Sequence, residues 1–272
     1  MLNFLLPDNY KFKGLYSFAS PEWLINQTKS YRDVFDQSEI NYLYVHLWCY
    51  NKQFDRRNWK CKVGTSCYRY VHGVMPELVC NQVDTVEVSS DKVEFFVEKG
   101  WGDPNYGGYW RPGVYYWDAF IDGNYLGRKV FFIYNRGLVT AESNPYFDIE
   151  SLRFFAGGYD APREKRNYVT AISPATQYLY TELNLKNKFP AEWRCQVFFR
   201  WYTGEGQSKT VLTDMVEVNQ GDEHIQITRG WGHDTPGTWI GKRYRVEIVF
   251  MDVIIHTAYI DAIDDTAVQP AP

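Results

Sequence analysis

The chain repeats itself. Tyr42-Leu-Tyr-Val-His-Leu is matched by Tyr178-Leu-Tyr-Thr-Glu-Leu, Asn51-Lys52 by Asn187-Lys188, and Trp59-Lys-Cys-Lys-Val by Trp193-Arg-Cys-Gln-Val. Val86-Glu-Val then answers Val216-Glu-Val, and Lys99-Gly-Trp-Gly answers Arg229-Gly-Trp-Gly. Trp110, Tyr115 and Asp118 return as Trp239, Tyr244 and Glu247. The offset drifts only from 136 to 129, so the copies differ by small insertions. A match on this scale restricts the chain to two domains of one fold. The expected division is a first domain over 1–138, a second over 146–264 and a linker or tail over 265–272.

Inside each copy the hydrophobic period is two, the signature of half-buried strands. Leu43, Val45, Leu47 and Cys49 alternate with Tyr42, Tyr44, His46, Trp48 and Tyr50. Val93, Phe95 and Val97 alternate with Glu94, Phe96 and Glu98, and Tyr115, Trp117, Ala119 and Ile121 share one side. Asp122-Gly123 is a strong hairpin signal. Strands are expected near 14–19, 42–50, 58–70, 83–89, 92–99, 113–121 and 125–134. One helix is expected at Ser20-Pro21-Glu-Trp-Leu-Ile-Asn, from its N-cap serine and first-turn proline. The fold class is therefore all-β: two tandem homologous seven-stranded antiparallel β-sandwiches of immunoglobulin-like type, with a jelly roll as competitor. Tyr115 and Tyr244 stand where a tyrosine corner would begin the sixth strand.

Phe-Phe, Tyr-Leu-Tyr-x-x-Leu, Gly-Trp-Gly and Trp-x-x-x-x-Tyr together span nearly all of each copy. In this combination the chain resembles the small β-sandwich modules that bacteria, especially of Bacteroidetes type, append to intracellular multidomain proteins such as ATPases. The resemblance implies an accessory or binding role. It transfers no site residues, because its motifs are structural.

Charge argues against nucleic acid. The net charge is -4, and up to residue 140 Lys and Arg number 16 against 15 acidic residues, then 13 against 18. Neither part has the basic excess that phosphates demand. The opening Met1-Leu-Asn-Phe-Leu-Leu lacks the basic region of a signal peptide, and no stretch approaches a spanning helix. The expectation is a cytoplasmic chain without a membrane span. Five cysteines, an odd number without regular spacing, point to buried thiols rather than a disulfide framework or a zinc site.

No catalytic constellation is legible. The sequence has no GxSxG, HExxH, P-loop or GxGxxG, and none of its five histidines has an evident orienting partner. Asp103, Asp122, Asp234 and Asp252 fall in loops without calcium-loop spacing. No enzyme activity and no cofactor are expected.

Aromatic residues make up 18% of the chain, and the comparison of copies divides them. Positions apolar in both copies read as core. The informative positions differ: His46, Trp48 and Tyr50 stand where the second copy has Glu182, Asn184 and Lys186, and Phe96 stands where it has Gln226. In an immunoglobulin arrangement the two strands are neighbours, so these four residues would form one exposed aromatic patch. Three occupants are open: the chain's own Met1–Leu6 segment, a protein partner including another copy, or a carbohydrate. The Gly-rich loop around Tyr106 and Tyr109 has the composition of an adaptable binding loop. The expected function is a non-enzymatic interaction or scaffold module that binds a protein through His46, Trp48, Tyr50, Phe96, Tyr106 and Tyr109. A carbohydrate-binding protein, or a structural subunit of a phage or secretion-type assembly, is the alternative.

Overall fold

A computed structural model of the chain describes residues 8–20, 29–105, 108–164, 166–240 and 242–263. The Met1–Leu6 segment, the helix expected from Pro21 onward, Tyr106 and the tail over 265–272 lie outside the described residues. The chain divides into two compact units, Met1–Gly137 and Leu138–Pro272. Among the described residues there are strands and two single-turn 3-10 helices, and no helix is long and apolar enough to cross a membrane.

The first unit carries β1 (Tyr10–Ser20), β2 (Val34–Asp36), β3 (Tyr42–Asn51), β4 (Trp59–Tyr70), β5 (Glu77–Val88), β6 (Glu94–Gly102), β7 (Gly113–Ile121) and β8 (Asn124–Tyr134). They form one sheet in the order β1-β3-β6 and another in the order β2-β8-β7-β4-β5. Because alternate residues point to opposite faces, each sheet turns one apolar face inward. Leu43, Leu47 and Val97 of the small sheet join Val63, Trp117 and Ile121 of the large one in a single core. The unit is a β-sandwich.

The second unit carries β9 (Phe147–Gly157), β10 (Asn167–Val169), β11 (Ala171–Ile172), β12 (Tyr178–Asn187), β13 (Trp193–Thr203), β14 (Ser208–Val218), β15 (His224–Gly232), β16 (Arg243–Phe250) and β17 (Val253–Ala262). Its sheets run β10-β9-β12-β15 and β11-β17-β16-β13-β14. Leu179, Leu183 and Ile227 of one sheet and Trp193, Val197 and Val246 of the other are all buried.

The expected pattern of seven antiparallel strands is modified. β2, β10 and β11 are additional; β2 pairs in parallel with β8 and β11 with β17, and β10 pairs antiparallel with β9. Strands of two or three residues are too short to show a period, so alternation could not reveal them. β2 is held instead by polar bonds. The Asp36 carboxylate, fully buried, accepts from Ser38 N and from Arg136 N beyond the end of β8. A second departure is Val93, which is exposed in the turn before β6 rather than inward.

The repeated motifs have local physical causes. Trp59 Nε1 donates to Asn51 Oδ1 at 3.0 Å and Trp193 Nε1 to Asn187 Oδ1 at 3.3 Å, so each buried indole has an amide partner. In Gly-Trp-Gly the first glycine lies beneath a tyrosine ring. A Cβ on Gly100 would sit 2.2 Å from the Tyr44 ring, and one on Gly230 would sit 2.1 Å from Tyr180. The second glycine meets backbone, 2.0 Å from Asn41 O for Gly102. The preceding basic residue ties the two sheets together, through the ion pairs Lys99–Asp84 and Arg229–Asp214. Tyr115 Oη donates to Arg111 O at 2.9 Å, forming the expected tyrosine corner. At the β7–β8 hairpin both turn residues, Asp122 and Gly123, have positive φ (49° and 82°), which is why Asp-Gly occupies it.

Candidate interaction face

The outer face of β1-β3-β6 is laid out by strand register. Trp48 on the central strand stands opposite Phe96 on β6 and Gly14 on β1. His46 stands between Tyr16 and Glu98, and Tyr44 between Phe18 and Gly100. Tyr50 ends the face opposite Glu94. The expected neighbour relation between the two strands is thus present, and Trp48 and Phe96 are direct cross-strand partners.

Exposure across this face is graded. Phe96 is 61% exposed, Tyr50 is 38% exposed and Trp48 is half-buried, whereas His46 is buried at 2%. The expectation that His46 belongs to an exposed patch is therefore corrected. The cause is a segment returning over the face after β1. Tyr31 Oη lies 2.5 Å from His46 Nδ1, and its ring packs against Tyr16 with centroids 4.9 Å apart. Lys29 pairs with Glu98 beside it. The imidazole also meets Trp48 and Phe96 edge-on, at 5.4 and 4.9 Å. Burial, with a smaller contribution from the nearby Lys29 charge, pushes the His46 pKa down to about 4. The ring is neutral at pH 7.

The exposed end is also partly covered. Lys13 Nζ lies over Trp48 at 4.4 Å and Tyr50 at 5.1 Å, and pairs with Glu94 at 2.7 Å. That hydrogen bond to Glu94 raises the lysine pKa.

The same face of the second unit overturns a further expectation. Glu182, at the place of His46, reads as a solvated outer residue, but it is completely buried. It accepts from Arg153 at 2.6 Å and from Tyr168 Oη at 3.0 Å, and pairs with Arg166. Asn184 adds a bond at 3.1 Å. Tyr168 belongs to β10, the edge strand beside β9, so here a side chain reaching in from the sheet edge covers the central strand. Sequence alternation could not find Lys29, Tyr31, Arg166 or Tyr168, because they precede or occupy segments with no period of their own.

Tyr109 lies elsewhere. It is 39% exposed, meets Trp110 and Trp101 edge-on at 5.5 and 6.4 Å, and lines an open cleft of about 360 Å³. Arg69, Glu77, Leu78 and Arg111 share that cleft. These come from β4, β5 and the loop before β7, so the cleft and the Phe96 face are separate surfaces. The loop aspartates have structural partners: Asp103 accepts from Asn105 N at 2.8 Å, Asp122 from Lys62 N at 2.8 Å and Asp234 from Tyr178 Oη at 3.1 Å.

No family model matches the sequence, and no curated protein is significantly similar to it. Among solved structures, a red sea bream transglutaminase is similar over 95% of this chain and 32% of its own, at 9% identity and a TM-score of 0.30. The chain thus spans about a third of that enzyme. An immunoglobulin-like protein from Pseudomonas aeruginosa is similar over 43% of this chain and 95% of its own, at 10% identity and a TM-score of 0.29. At such scores the β-sandwich assignment rests on the sheets and their shared cores.

Proposed function

We propose that the chain is a non-enzymatic interaction module, built of two tandem homologous immunoglobulin-like sandwiches, that docks a protein partner through Phe96, Tyr50 and Trp48. The observation that carries this reading is the 61% exposure of Phe96 on a face whose neighbours are tightly packed. Its base cannot yield: Trp48 and the buried His46 hold each other by a hydrogen bond. Burying the exposed parts of Phe96 and Tyr50 would contribute about 5 kcal/mol before the cost of association. Carbohydrate is a poorer occupant, because Lys13 already lies over the Trp48 and Tyr50 rings on which a sugar would stack. Five free, buried thiols agree with a cytoplasmic location.

The test is affinity capture from source-cell lysate with the full chain, comparing the native protein with Phe96→Ser and Tyr50→Ser. A partner retained by the native chain and lost by both variants supports the reading. Saturable binding on a glycan array that Tyr50→Ser abolishes would overturn it.

A further inference from the structure

The outer face of the large sheet in the first unit carries apolar side chains from four strands. Cross-strand register arranges it in bands. One band runs Leu78, Tyr68, Tyr116 and Val130 across β5, β4, β7 and β8. A second runs Val83, Gly64, Phe120 and Tyr125 across the same strands. Leu78 is 55% exposed, Val83 59%, Tyr125 56% and Val130 39%, and Tyr70 beyond the first band is 50% exposed. Between the bands lie Asn81, Ser66, Asp118 and Arg128. Asp118 and Arg128 form a bidentate pair at 2.8 and 2.9 Å, and Ser66 bonds to Asn81 at 3.0 Å. The polar band is therefore neutral and internally satisfied, and it offers no net charge to an oppositely charged ligand. On the same face of the second unit Arg194, Arg200, Arg245 and Glu247 separate the apolar side chains.

We propose that this face is the contact between two copies of the chain. The apolar–polar–apolar banding is its own complement. A two-fold axis in the plane of the face, crossing the bands between β4 and β7, lays each apolar band on its own counterpart, Leu78 against Val130 and Val83 against Tyr125, and sets Asp118 and Arg128 against Ser66 and Asn81, as an isologous contact requires. The five exposed side chains present about 500 Å² of apolar-rich surface, and the half-buried residues between them add to it. That approaches the roughly 800 Å² per partner of a standard interface.

Sedimentation equilibrium of the full chain between about 1 and 100 µM tests this. The expected mass is twice 32.0 kDa. Leu78→Glu and Val83→Glu, one in each band, should each weaken association by about a hundredfold while the unfolding midpoint measured under monomeric conditions stays unchanged. Phe96→Ser should leave the dimer intact, which separates this contact from the partner site proposed above. A native chain that stays monomeric at the highest concentration, or a dimer that survives both substitutions, overturns the proposal. If either variant does not fold, hydrogen exchange of the native chain decides: protection of β4 and β5 that rises with concentration supports it, and unchanged protection overturns it.

Discussion

Trp48 Nε1 donates to His46 Nε2 at 2.8 Å, while Tyr31 Oη lies 2.5 Å from the other ring nitrogen. The indole N–H also lies 3.1 Å from Nδ1, so it needs a lone pair on one of the two ring nitrogens. A second proton would set an N–H against the indole N–H, which can only donate. The arrangement favours the neutral ring in the same direction as burial.

Acid should therefore loosen the first unit. The His46 pKa falls from 6.5 in an unfolded chain to about 4 in the folded one. Between those values the unfolded state binds the proton first, so stability is full above pH 6.5 and declines as pH falls toward 4. Over the whole window the loss is about 3 kcal/mol. His46→Gln, which keeps an acceptor for Trp48, should flatten this part of the profile. Urea midpoints of both proteins from pH 7 to pH 4 would show it, and parallel profiles would refute the assignment.

The two glycines of Lys99-Gly-Trp-Gly should differ in tolerance. A Cβ at Gly100 meets the Tyr44 ring, which can tilt, and Gly100→Ala should cost about 1–3 kcal/mol. A Cβ at Gly102 meets the Asn41 carbonyl 2.0 Å away, and a backbone oxygen cannot rotate aside. Gly102→Ala should be the more damaging substitution in denaturant unfolding.

Removing the charge of Glu182 should destabilise the second unit. Its carboxylate is wholly buried among Arg153, Arg166 and Tyr168. Truncating one partner of a buried ion pair typically costs 3–5 kcal/mol. The Arg153 side chain is 49% exposed and can return to water, so Glu182→Gln should fall near the lower end, about 3 kcal/mol. Tryptophan fluorescence during urea unfolding would measure it.

Every thiol should be silent in the native protein. All five cysteines are free and buried. Burial pushes Cys49 and Cys80 up to about 12 and Cys61 up to about 11, and raises Cys67 and Cys195 as well. Thiolates are scarce at pH 8 on both counts. A disulfide reagent should titrate none of them until denaturant is added, and then all five. Rapid labelling of the folded chain would contradict the burial.

Much of the fold is legible in the sequence because its signals are local or repeated. Alternation identifies the inward sides of β3 and β7, and Tyr115 identifies its own corner by position. The repeated Gly-Trp-Gly is legible as a motif, but the tyrosine ring and backbone carbonyl that its glycines approach are not. The candidate face is only partly legible. Trp48 and Phe96 can be paired from alternation and a fold analogy, yet His46 and Glu182 are misread as solvated. The large-sheet face is not legible, since Tyr125 and Val83 lie far apart in sequence and only register sets them in one band.

The division has one physical reason. A period of two states which side of the pleat a side chain takes, and that is a property of the strand alone. Whether the outer side meets water depends on what crosses it. Tyr31 and Lys29 cover His46, and Arg166 and Tyr168 cover Glu182, from segments with no period to announce them. Alternation along each strand suffices for an all-β chain and for its inward residues. Tertiary packing alone decides that two outer polar residues are buried and that Phe96, Tyr50, Leu78, Val83, Tyr125 and Val130 stay exposed.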